Sequence, residues 1–409
     1  MTSNKLQCKK PLNGFCKKIV LSALAALTLG TVAATAGDIK LYTDANGQVF
    51  TTAGEGRTEL TKKAPTLASH ASKLKFSGLT YLGYTYTDYK DGETSVSGTD
   101  FQNDTSEFEI RRGYIQTKAY LLEDPKSYFR ITLDLHNDGG SMVARAKYAY
   151  LYLNDVFANT GLEVGLAHRP WHDYEEHNSW YFRDISKVLV EAKNGAHLSN
   201  SADYGVLAKT RTKYLDADYG IFQGEGYHGE QNGMGVSFEW RATAHLLGVS
   251  GKDKQDKKTY WDASFFGQYN MEHIATSATN NDDLIFGGLH TVYNQPSFLV
   301  AAQYIQSQDT ADNSGYVSEG SGNGYSANGE FRLGGEKEYR ILGRYDSWTP
   351  EVVSSATAYE QRAYIAGLAW DQNKNVQWVA NATITDNEKG STREEYNGVA
   401  YMLTAQVEF

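Results

Sequence analysis

Arginine stands between apolar or aromatic residues in several segments of this chain of 409 residues, and such alternation of residue types places the charges on one face of an extended strand. In the segment YFRITLDLH, Arg130 alternates with Phe129 and Ile131. In the segment YRILGRYDSW, Arg340 and Arg344 alternate with apolar and aromatic residues in the same way. A guanidinium can hold a carboxylate or a phosphate with two parallel hydrogen bonds, so this pattern predicts a surface that recognises anions.

The same alternation places further basic residues on the inner face of the predicted strands. In the second candidate strand the apolar phase changes at Arg111-Arg112-Gly113, and a β-bulge there would turn Arg112 inward. The predicted pore-lining, anion-binding residues of the strands are Arg112, Lys118, Arg130, Arg145, Lys147, Arg169, Arg241, Arg340 and Arg344. The inner face also receives Lys75, Lys209 and Arg332. The predicted inward acids, which are fewer, are Asp134, Glu163, Asp203, Glu239, Asp262, Glu330, Asp346 and Glu408.

Two roles are open for these inward cations. A water-filled channel lined by arginine and lysine lowers the energy of anions inside it, because walls of low dielectric constant focus the field. Alternatively, the cations pair with inward acids and brace the wall, which is the role expected for about half of them. Acidic loops at the mouth would also repel anions, so a channel that prefers cations is an alternative to one that prefers anions.

The elements that carry these residues are predicted to be strands. From Leu74 onward, about sixteen segments (about fourteen or eighteen are the alternative counts) alternate apolar and polar residues, and most are long enough to cross a bilayer at a tilt. Their connections alternate between short and long, as in bacterial barrels. The last segment, YNGVAYMLTAQVEF, carries Tyr401 and Leu403 on its apolar face and ends on Phe409. The sequence therefore predicts an all-β fold, a transmembrane antiparallel β-barrel that closes on itself.

Tyrosine is abundant near the ends of the predicted strands. We expect these rings to form interfacial girdles on the lipid side, where an amphipathic ring sits between lipid and water. The alternative is an aromatic core in a soluble β-sandwich. The residues expected in the girdles are Tyr81, Tyr84, Tyr86, Tyr148, Tyr150, Tyr152, Tyr364 and Trp370.

The N-terminal segment has the pattern of a secretory signal peptide: early lysines, an apolar run over residues 19–29 and the small residues Ala34-Thr35-Ala36. Both cysteines, Cys8 and Cys16, fall within it, so the mature chain would contain neither a disulfide nor a thiolate metal site. The predicted domains are residues 1–36 as the signal peptide, 37–73 as an N-terminal periplasmic extension or linker, and 74–409 as the transmembrane barrel.

Composition and motifs argue against several classes of function. The chain has 39 Lys and Arg against 49 Asp and Glu, a net charge of −10, so nucleic acid is not a predicted partner. His168, His172 and His177 lie near Glu175 and Glu176, but their spacing does not place them on one helix face; pore lining or loop polarity is favoured over a metal site. Neither an enzyme nor a cofactor is predicted, since no nucleophile-elbow, zinc-protease or phosphate-loop pattern stands out.

Three segments, FEIRRGYIQTKAYL, YFRITLDLH and GLEVGLAHRP, resemble the phosphate-selective porin O and P family. The resemblance implies a trimer of sixteen-stranded barrels whose third long loop folds into the channel as a constriction. That loop corresponds to residues 171–202, where Arg183 and Lys187 would face Arg130 and Arg169 on the wall. The residues that carry the resemblance are Phe108, Arg111, Arg112, Gly113, Phe129, Arg130, Leu133, Asp134, Gly165 and Pro170.

The predicted function is that of a porin in the bacterial outer membrane, through which small, anionic, phosphate-like solutes diffuse passively past a constriction lined by arginine and lysine. The predicted partners are outer-membrane lipid and lipopolysaccharide, small solutes or ions, and other copies of the chain in a homotrimer. The alternatives are a general or cation-preferring porin, a barrel enzyme, and an adhesin that acts through its long loops.

Overall fold

The fold of this chain, seen in a computed structural model, is a closed barrel of antiparallel β-strands. The structure describes residues 42–43, 49–50, 53–59, 73–90, 103–120, 122, 124–138, 141–227, 235–248, 255–273, 282–309, 317–352, 359–389 and 394–409. The predicted signal peptide and much of the predicted periplasmic extension lie outside these ranges. Among the described residues, no helix has both the length and the apolar character needed to span a membrane.

Sixteen strands of the described chain close the barrel, each pairing antiparallel with the next, and the last pairs with the first. Strands β4 to β19 are, in order, Leu74–Tyr89, Thr105–Ala119, Tyr128–Asp138, Ser141–Phe157, Thr160–His168, Ala202–Arg211, Leu215–Phe222, Ser237–His245, Tyr260–His273, Asp282–Gln295, Phe298–Asp309, Val317–Leu333, Tyr339–Val352, Gln361–Asn373, Val376–Asn387 and Gly398–Glu408. The predicted all-β antiparallel barrel of about sixteen strands is confirmed.

A second, small sheet precedes the barrel. It consists of β1 (Tyr42–Thr43), β2 (Val49–Phe50) and β3 (Thr58–Glu59), with β1 in the middle. This sheet belongs to a compact unit, Met1–His70, which is distinct from the barrel unit, Ala71–Phe409.

The alternation in the sequence sets which side chains face inward. In β6, Phe129, Ile131 and Leu133 are exposed on the outside, whereas Thr132 and Asp134 are buried inside. Successive side chains of a strand point to opposite faces, so one strand supplies both surfaces. The exposed apolar belt is the surface that a bilayer covers in proteins of this architecture.

The barrel closes where the two ends of its chain meet. The N–H of Phe409 donates to the carbonyl oxygen of Gly78 at 3.0 Å, and the N–H of Gly78 donates to the carbonyl oxygen of Phe409 at 2.9 Å. The Phe409 ring lies directly over Gly78, where a Cβ atom would come within 2.2 Å of it. Glycine is therefore required at this seam, since any larger side chain would displace the terminal ring.

A bulge reverses the facing of the tyrosines of β7. In β7 the register shifts between Tyr148 and Ala146, so Lys147 is an extra residue and both Lys147 and Tyr148 turn inward. Tyr148 and Tyr150 contact the inward Arg130, and Tyr81 is also buried. Tyr152 lies on the same inward face and contacts Tyr128 at 5.0 Å between ring centroids. The expectation that Tyr81, Tyr148, Tyr150 and Tyr152 lie in lipid-facing girdles is therefore wrong. Exposed outward rings include Tyr84, Tyr86, Tyr364 and Trp370.

Two short 3-10 turns connect strands of the barrel. One is Gln255–Lys257, between β11 and β12, and the other is Glu394–Tyr396, before β19. The first matters for the interior, because the carboxylate of Asp256 lies 3.0 Å from Arg340 of the wall.

Candidate functional site

The connection between β8 and β9, which we call the inner loop (residues 169–201), packs inside the barrel. Its apolar side chains share one buried cluster with inward side chains of strands between β12 and β19. Trp171 stacks on Phe266 of β12 with ring centroids 3.7 Å apart, and Trp180 and Phe182 are almost completely buried. Each such side chain contributes about 1.5–3 kcal/mol when it is buried. The expected inward-folded loop is confirmed.

The inner loop begins with a short helix, α1 (Pro170–Asn178). Pro170 fits the first turn of this helix because its missing N–H would have no partner there in any case. The N–H of Ser179 donates to the carbonyl oxygen of Glu175 at 3.0 Å and ends the helix. Tyr174, on the same helix, donates its hydroxyl to the carboxylate of Asp262 at 2.7 Å. The sequence predicts only a loop here, since a helix this short leaves no clear period.

Polar contacts tie the inner loop to the wall on two sides. On one side, the Arg111 Nε atom donates to the carbonyl oxygen of Asp184 at 2.7 Å. On the other, the Asn328 amide donates to the carbonyl oxygen of Ser179 at 2.7 Å. The hydroxyl of Thr404 donates to the Asp184 carboxylate. The loop is thus held across the barrel rather than from one wall only.

The cations of the inner loop are paired with its own acids. Arg183 lies 2.8 Å from the Glu191 carboxylate and also contacts Glu176, and the Lys187 ammonium lies 2.9 Å from Glu191. Burial alone would raise the pKa of Glu191, but the Arg183 and Lys187 charges outweigh burial and hold that pKa well below its ordinary value. Arg183 and Lys187 therefore shape the loop, and much of their charge is offset there.

A polar contact joins helix α1 to β14. The Gln303 amide of β14 donates to the carboxyl group of the buried Glu175. Burial raises the pKa of Glu175 to about 7, although the nearby Arg344 guanidinium lowers it. The Glu175 side chain is therefore largely neutral below pH 7.

The predicted bulge in β5 is confirmed. Tyr81 pairs with Arg112 whereas Leu82 pairs with Ile110, so Arg111 is the extra residue between them. Arg112 lies 2.8 Å from the Asp134 carboxylate. Arg111 also turns inward, since it contacts Asp184 of the inner loop. The predicted set missed Arg111, although the change of apolar phase was the signal that two consecutive arginines share the inner face.

Inward arginines elsewhere in the barrel, from the start of the inner loop to β16, are braced by carboxylates. Arg169 lies 3.0 Å from Asp203 and 3.3 Å from Glu239, and only 2% of its surface is exposed. Similar pairs join Arg241 to Asp218 at 2.7 Å, Arg332 to Glu330, Arg340 to Asp256 at 3.0 Å and Asp371 at 2.7 Å, and Arg344 to Asp346 at 2.8 Å. We call these residues the braced arginines.

A different arrangement occurs on β4, β5 and β6. Lys75 is paired in register with Lys118, and Lys118 with Arg130, so three cations stand directly side by side. We call these residues the cationic row. In the part of the chain that the structure describes, none of the three forms an ion pair with a carboxylate. Their recorded partners are tyrosine rings, hydroxyl groups and His168.

The cationic wall continues from this row onto β7. The Lys147 ammonium lies 4.5 Å from the ring centroid of Tyr114 and 3.3 Å from its hydroxyl oxygen. Arg145 donates from its Nε atom to His136 Nδ1 at 3.2 Å. The cation–π contact of Lys147 with Tyr114 stabilises the charge without neutralising it.

The predicted cations of the strands and strand ends therefore face inward, and they differ in their partners. Arg112, Arg169, Arg241, Arg340 and Arg344 are paired with carboxylates, Lys118, Arg130 and Lys147 have aromatic partners, and Arg145 contacts His136. The inner loop covers the strands between β12 and β19, so the wall with the aromatic partners is the side left uncovered by its apolar cluster.

Comparison with known proteins agrees with this fold. No family model matches the chain, and no curated protein does. The chain is similar to the anion-selective porin from Comamonas acidovorans, with 11% identity and a TM-score of 0.59 over 82% of this chain and 99% of that chain. It is also similar to OprB of Pseudomonas putida at high pH (8% identity, TM-score 0.57, 84% and 96% coverage). A third similar structure is the trimer form of in-vitro folded OmpT, an outer-membrane protein of Vibrio cholerae (11%, 0.55, 82% and 99%). At these identities the likeness shows that the chain shares their barrel fold.

Proposed function

We propose that this chain is a porin of the bacterial outer membrane, a water-filled channel for the passive diffusion of small anions, including phosphate-like anions. Its outward apolar belt and inward polar face support a place in the membrane. The printed name of the similar porin from Comamonas acidovorans, anion-selective, is consistent with a preference for anions. The channel works by diffusion, so it requires neither a cofactor nor a catalytic residue.

The observation that carries the proposal is the contrast between the cationic row and the braced arginines. A charge with a carboxylate within 3 Å contributes little to the potential along a channel, because the pair is nearly neutral at a distance. The three adjacent cations form no ion pair with a carboxylate of the described residues, so they leave a positive potential in the space before them. Anions that enter the barrel are attracted to this side.

The inner loop supports a defined path for the solute. Its apolar side chains fill the side of the interior between β12 and β19, and its anchor to Arg111 marks its edge toward β5. The path therefore runs between the loop and the cationic wall, past Arg112 and the cationic row. Arg183 and Lys187 form the loop side of the constriction.

We also propose that the chain assembles as a homotrimer, embedded in outer-membrane lipid and lipopolysaccharide. The trimer form of the similar OmpT of Vibrio cholerae supports this assembly. An exposed apolar outer surface is available both to lipid and to neighbouring copies.

The test is the zero-current potential of the purified protein in a planar bilayer under a gradient of potassium chloride. The expected sign is that of an anion-selective channel. Lys118→Glu should lower the ratio of anion to cation permeability about fivefold or more, because a unit charge at about 4 Å in water contributes about 1 kcal/mol.

Lys374→Glu is the matched control, because it makes the same change of charge in the exposed turn between β17 and β18. It should alter the permeability ratio much less than Lys118→Glu. A wild-type channel that prefers cations would contradict the anion preference and favour the alternative of a cation-preferring porin. The absence of any channel would contradict the proposal itself and favour an enzyme or an adhesin.

A further inference from the structure

Repulsion among the three charges of the cationic row destabilises the folded barrel. Like charges directly opposite each other on neighbouring strands destabilise a sheet, and Lys75, Lys118 and Arg130 make two such pairs in succession. The braced arginines show that this chain supplies carboxylates to inward cations elsewhere. The row therefore forms a local excess of charge that a bound anion would relieve.

Each cation of the row lies over a different tyrosine ring. The Lys75 ammonium is 5.1 Å from the centroid of Tyr120, and the Lys118 ammonium is 4.8 Å from that of Tyr128. The Arg130 guanidinium is 4.6 Å from the centroid of Tyr148 and 5.7 Å from that of Tyr150. The rings thus follow the row across the strands.

The tyrosine rings also contact one another, and we call them the tyrosine array (Tyr120, Tyr128, Tyr148, Tyr150 and Tyr152). The Tyr128 ring lies 5.2 Å from Tyr120, 6.3 Å from Tyr150 and 5.0 Å from Tyr152, and Tyr148 lies 6.4 Å from Tyr150. Tyr120, Tyr128 and Tyr152 are only half-buried, so part of their ring surface stays accessible. The row and the array together form a surface on which positive charges lie beside accessible aromatic rings.

We propose that the cationic row and the tyrosine array form a binding site for aromatic monocarboxylates within the channel. The carboxylate of such a solute meets the row, and its planar ring packs against the accessible tyrosine surfaces. Aromatic pairs contribute beyond the area that they bury, which favours a planar ring over a saturated one of similar size.

Inorganic phosphate fits this surface less well. Arginine can hold phosphate with two parallel hydrogen bonds, whereas lysine binds it only as a point charge, and the row holds one arginine beside two lysines. The aromatic surroundings replace little of the water that a doubly charged anion loses. The inference rests on the proposed function, because it names the class of solute that the proposed channel takes.

The test is a calorimetric titration of the detergent-solubilised protein with sodium benzoate, sodium cyclohexanecarboxylate and sodium phosphate at one ionic strength. Benzoate should bind about 3- to 10-fold more tightly than cyclohexanecarboxylate, and more tightly than phosphate. Tyr128→Leu should abolish the preference between the two carboxylates, whereas Tyr128→Phe should retain it. Lys118→Gln should weaken the binding of both carboxylates. Tyr304→Leu, on the outer surface, is the control and should change nothing.

Two results would overturn the inference: binding of phosphate at least as tight as that of benzoate, or an unchanged carboxylate preference in a folded Tyr128→Leu variant. Its failure is distinguishable from failure of the proposed function. An anion-selective channel without a benzoate preference rejects the aromatic site alone. A benzoate preference in a protein that forms cation-selective channels supports the site and rejects the anion-selective channel.

Discussion

At the scale of residues, the inward cations differ in what their removal leaves behind. Removal of a braced arginine leaves buried carboxylates without a partner, whereas removal of a member of the cationic row leaves tyrosine rings and other uncharged or weakly basic groups. Both kinds of cation face inward, but the first stabilises the wall and the second gives the channel a positive potential.

Arg169→Met is expected to destabilise the barrel. The substitution leaves Asp203 and Glu239 buried without their shared cation, which costs about 3–5 kcal/mol in comparable sites. The measurement is the free energy of unfolding in guanidinium with the protein in lipid vesicles. Lys374→Met, in an exposed turn, is the control and should cost less than about 0.5 kcal/mol. A loss below about 1 kcal/mol for Arg169→Met would show that the pair does not brace the wall.

Lys118→Met is expected to behave in the opposite way. It removes a like charge from between Lys75 and Arg130, so the free energy of unfolding should stay the same or rise by about 0.5 kcal/mol. The same variant should shift the zero-current potential toward cations. A loss of more than about 1 kcal/mol in the same unfolding assay would mean that Lys118 is a structural cation.

The sequence predicted which face these residues occupy, because side-chain direction in a strand follows a local period of two. It did not predict their partners. Alternation predicted both Lys118 and Arg169 to face inward. Arg169 begins the inner loop, and only the folded barrel brings Asp203 of β9 and Glu239 of β11 to it. The tyrosines were misplaced for a related reason: the bulge at Lys147 shifts the phase, so Tyr148 and Tyr150 turn inward.

At the scale of elements, the inner loop contacts two sides of the barrel that differ in chemistry. Its aromatic side chains pack toward β12, as the stack of Trp171 on Phe266 shows, and its backbone is tied to Arg111 on β5. Because the loop carries its own ion pairs between Arg183 and Glu191, it enters the barrel with little uncompensated charge. Its position therefore depends on apolar packing and on a few buried polar groups.

Glu175 makes the packing of this loop dependent on pH. Burial raises its folded-state pKa to about 7, from an ordinary value near 4.5. The folded protein therefore holds the proton more tightly, and the stabilisation is complete below pH 4.5 and is lost as pH rises to about 7. The midpoint of thermal unfolding should fall across this window in the wild type relative to Glu175→Gln, which keeps the acceptor for Gln303.

The magnitude of this pH effect is up to roughly 3 kcal/mol, because each tenfold change in proton affinity corresponds to about 1.4 kcal/mol. The measurement is the difference between the two midpoints at pH 5, 6, 7 and 8. A difference that stays constant over this series would mean that Glu175 is ionised in the folded protein throughout.

The sequence predicted the barrel strands well, since each carries its alternation within itself. The inner loop was placed only through a family resemblance, and helix α1 was not predicted. The local sequence around Trp171, Trp180 and Phe182 does not predict their partners. These partners, such as Phe266, lie on strands more than 80 residues away. Long-range packing of this kind requires the closed barrel to exist first.

At the scale of the whole molecule, the barrel has an asymmetric interior. One side is filled by the inner loop and by the turn that carries Asp256, and its arginines are braced. The other side carries the cationic row and the tyrosine array. A solute that crosses the barrel is therefore expected to follow one wall, although the barrel itself is nearly uniform in its strand pairing.

The most direct test of this path is chemical modification of single cysteines in a chain produced from Gly37 onward, which contains no native cysteine. Gln116→Cys places a thiol on the cationic wall beside Ser77, and Ser326→Cys places one beneath the inner loop, where Ser326 is buried. An anionic thiol reagent, added to open channels in a planar bilayer, should react with Gln116→Cys and reduce its conductance, and should leave Ser326→Cys unchanged. Modification of Ser326→Cys with loss of conductance, and none at Gln116→Cys, would contradict a path along the cationic wall.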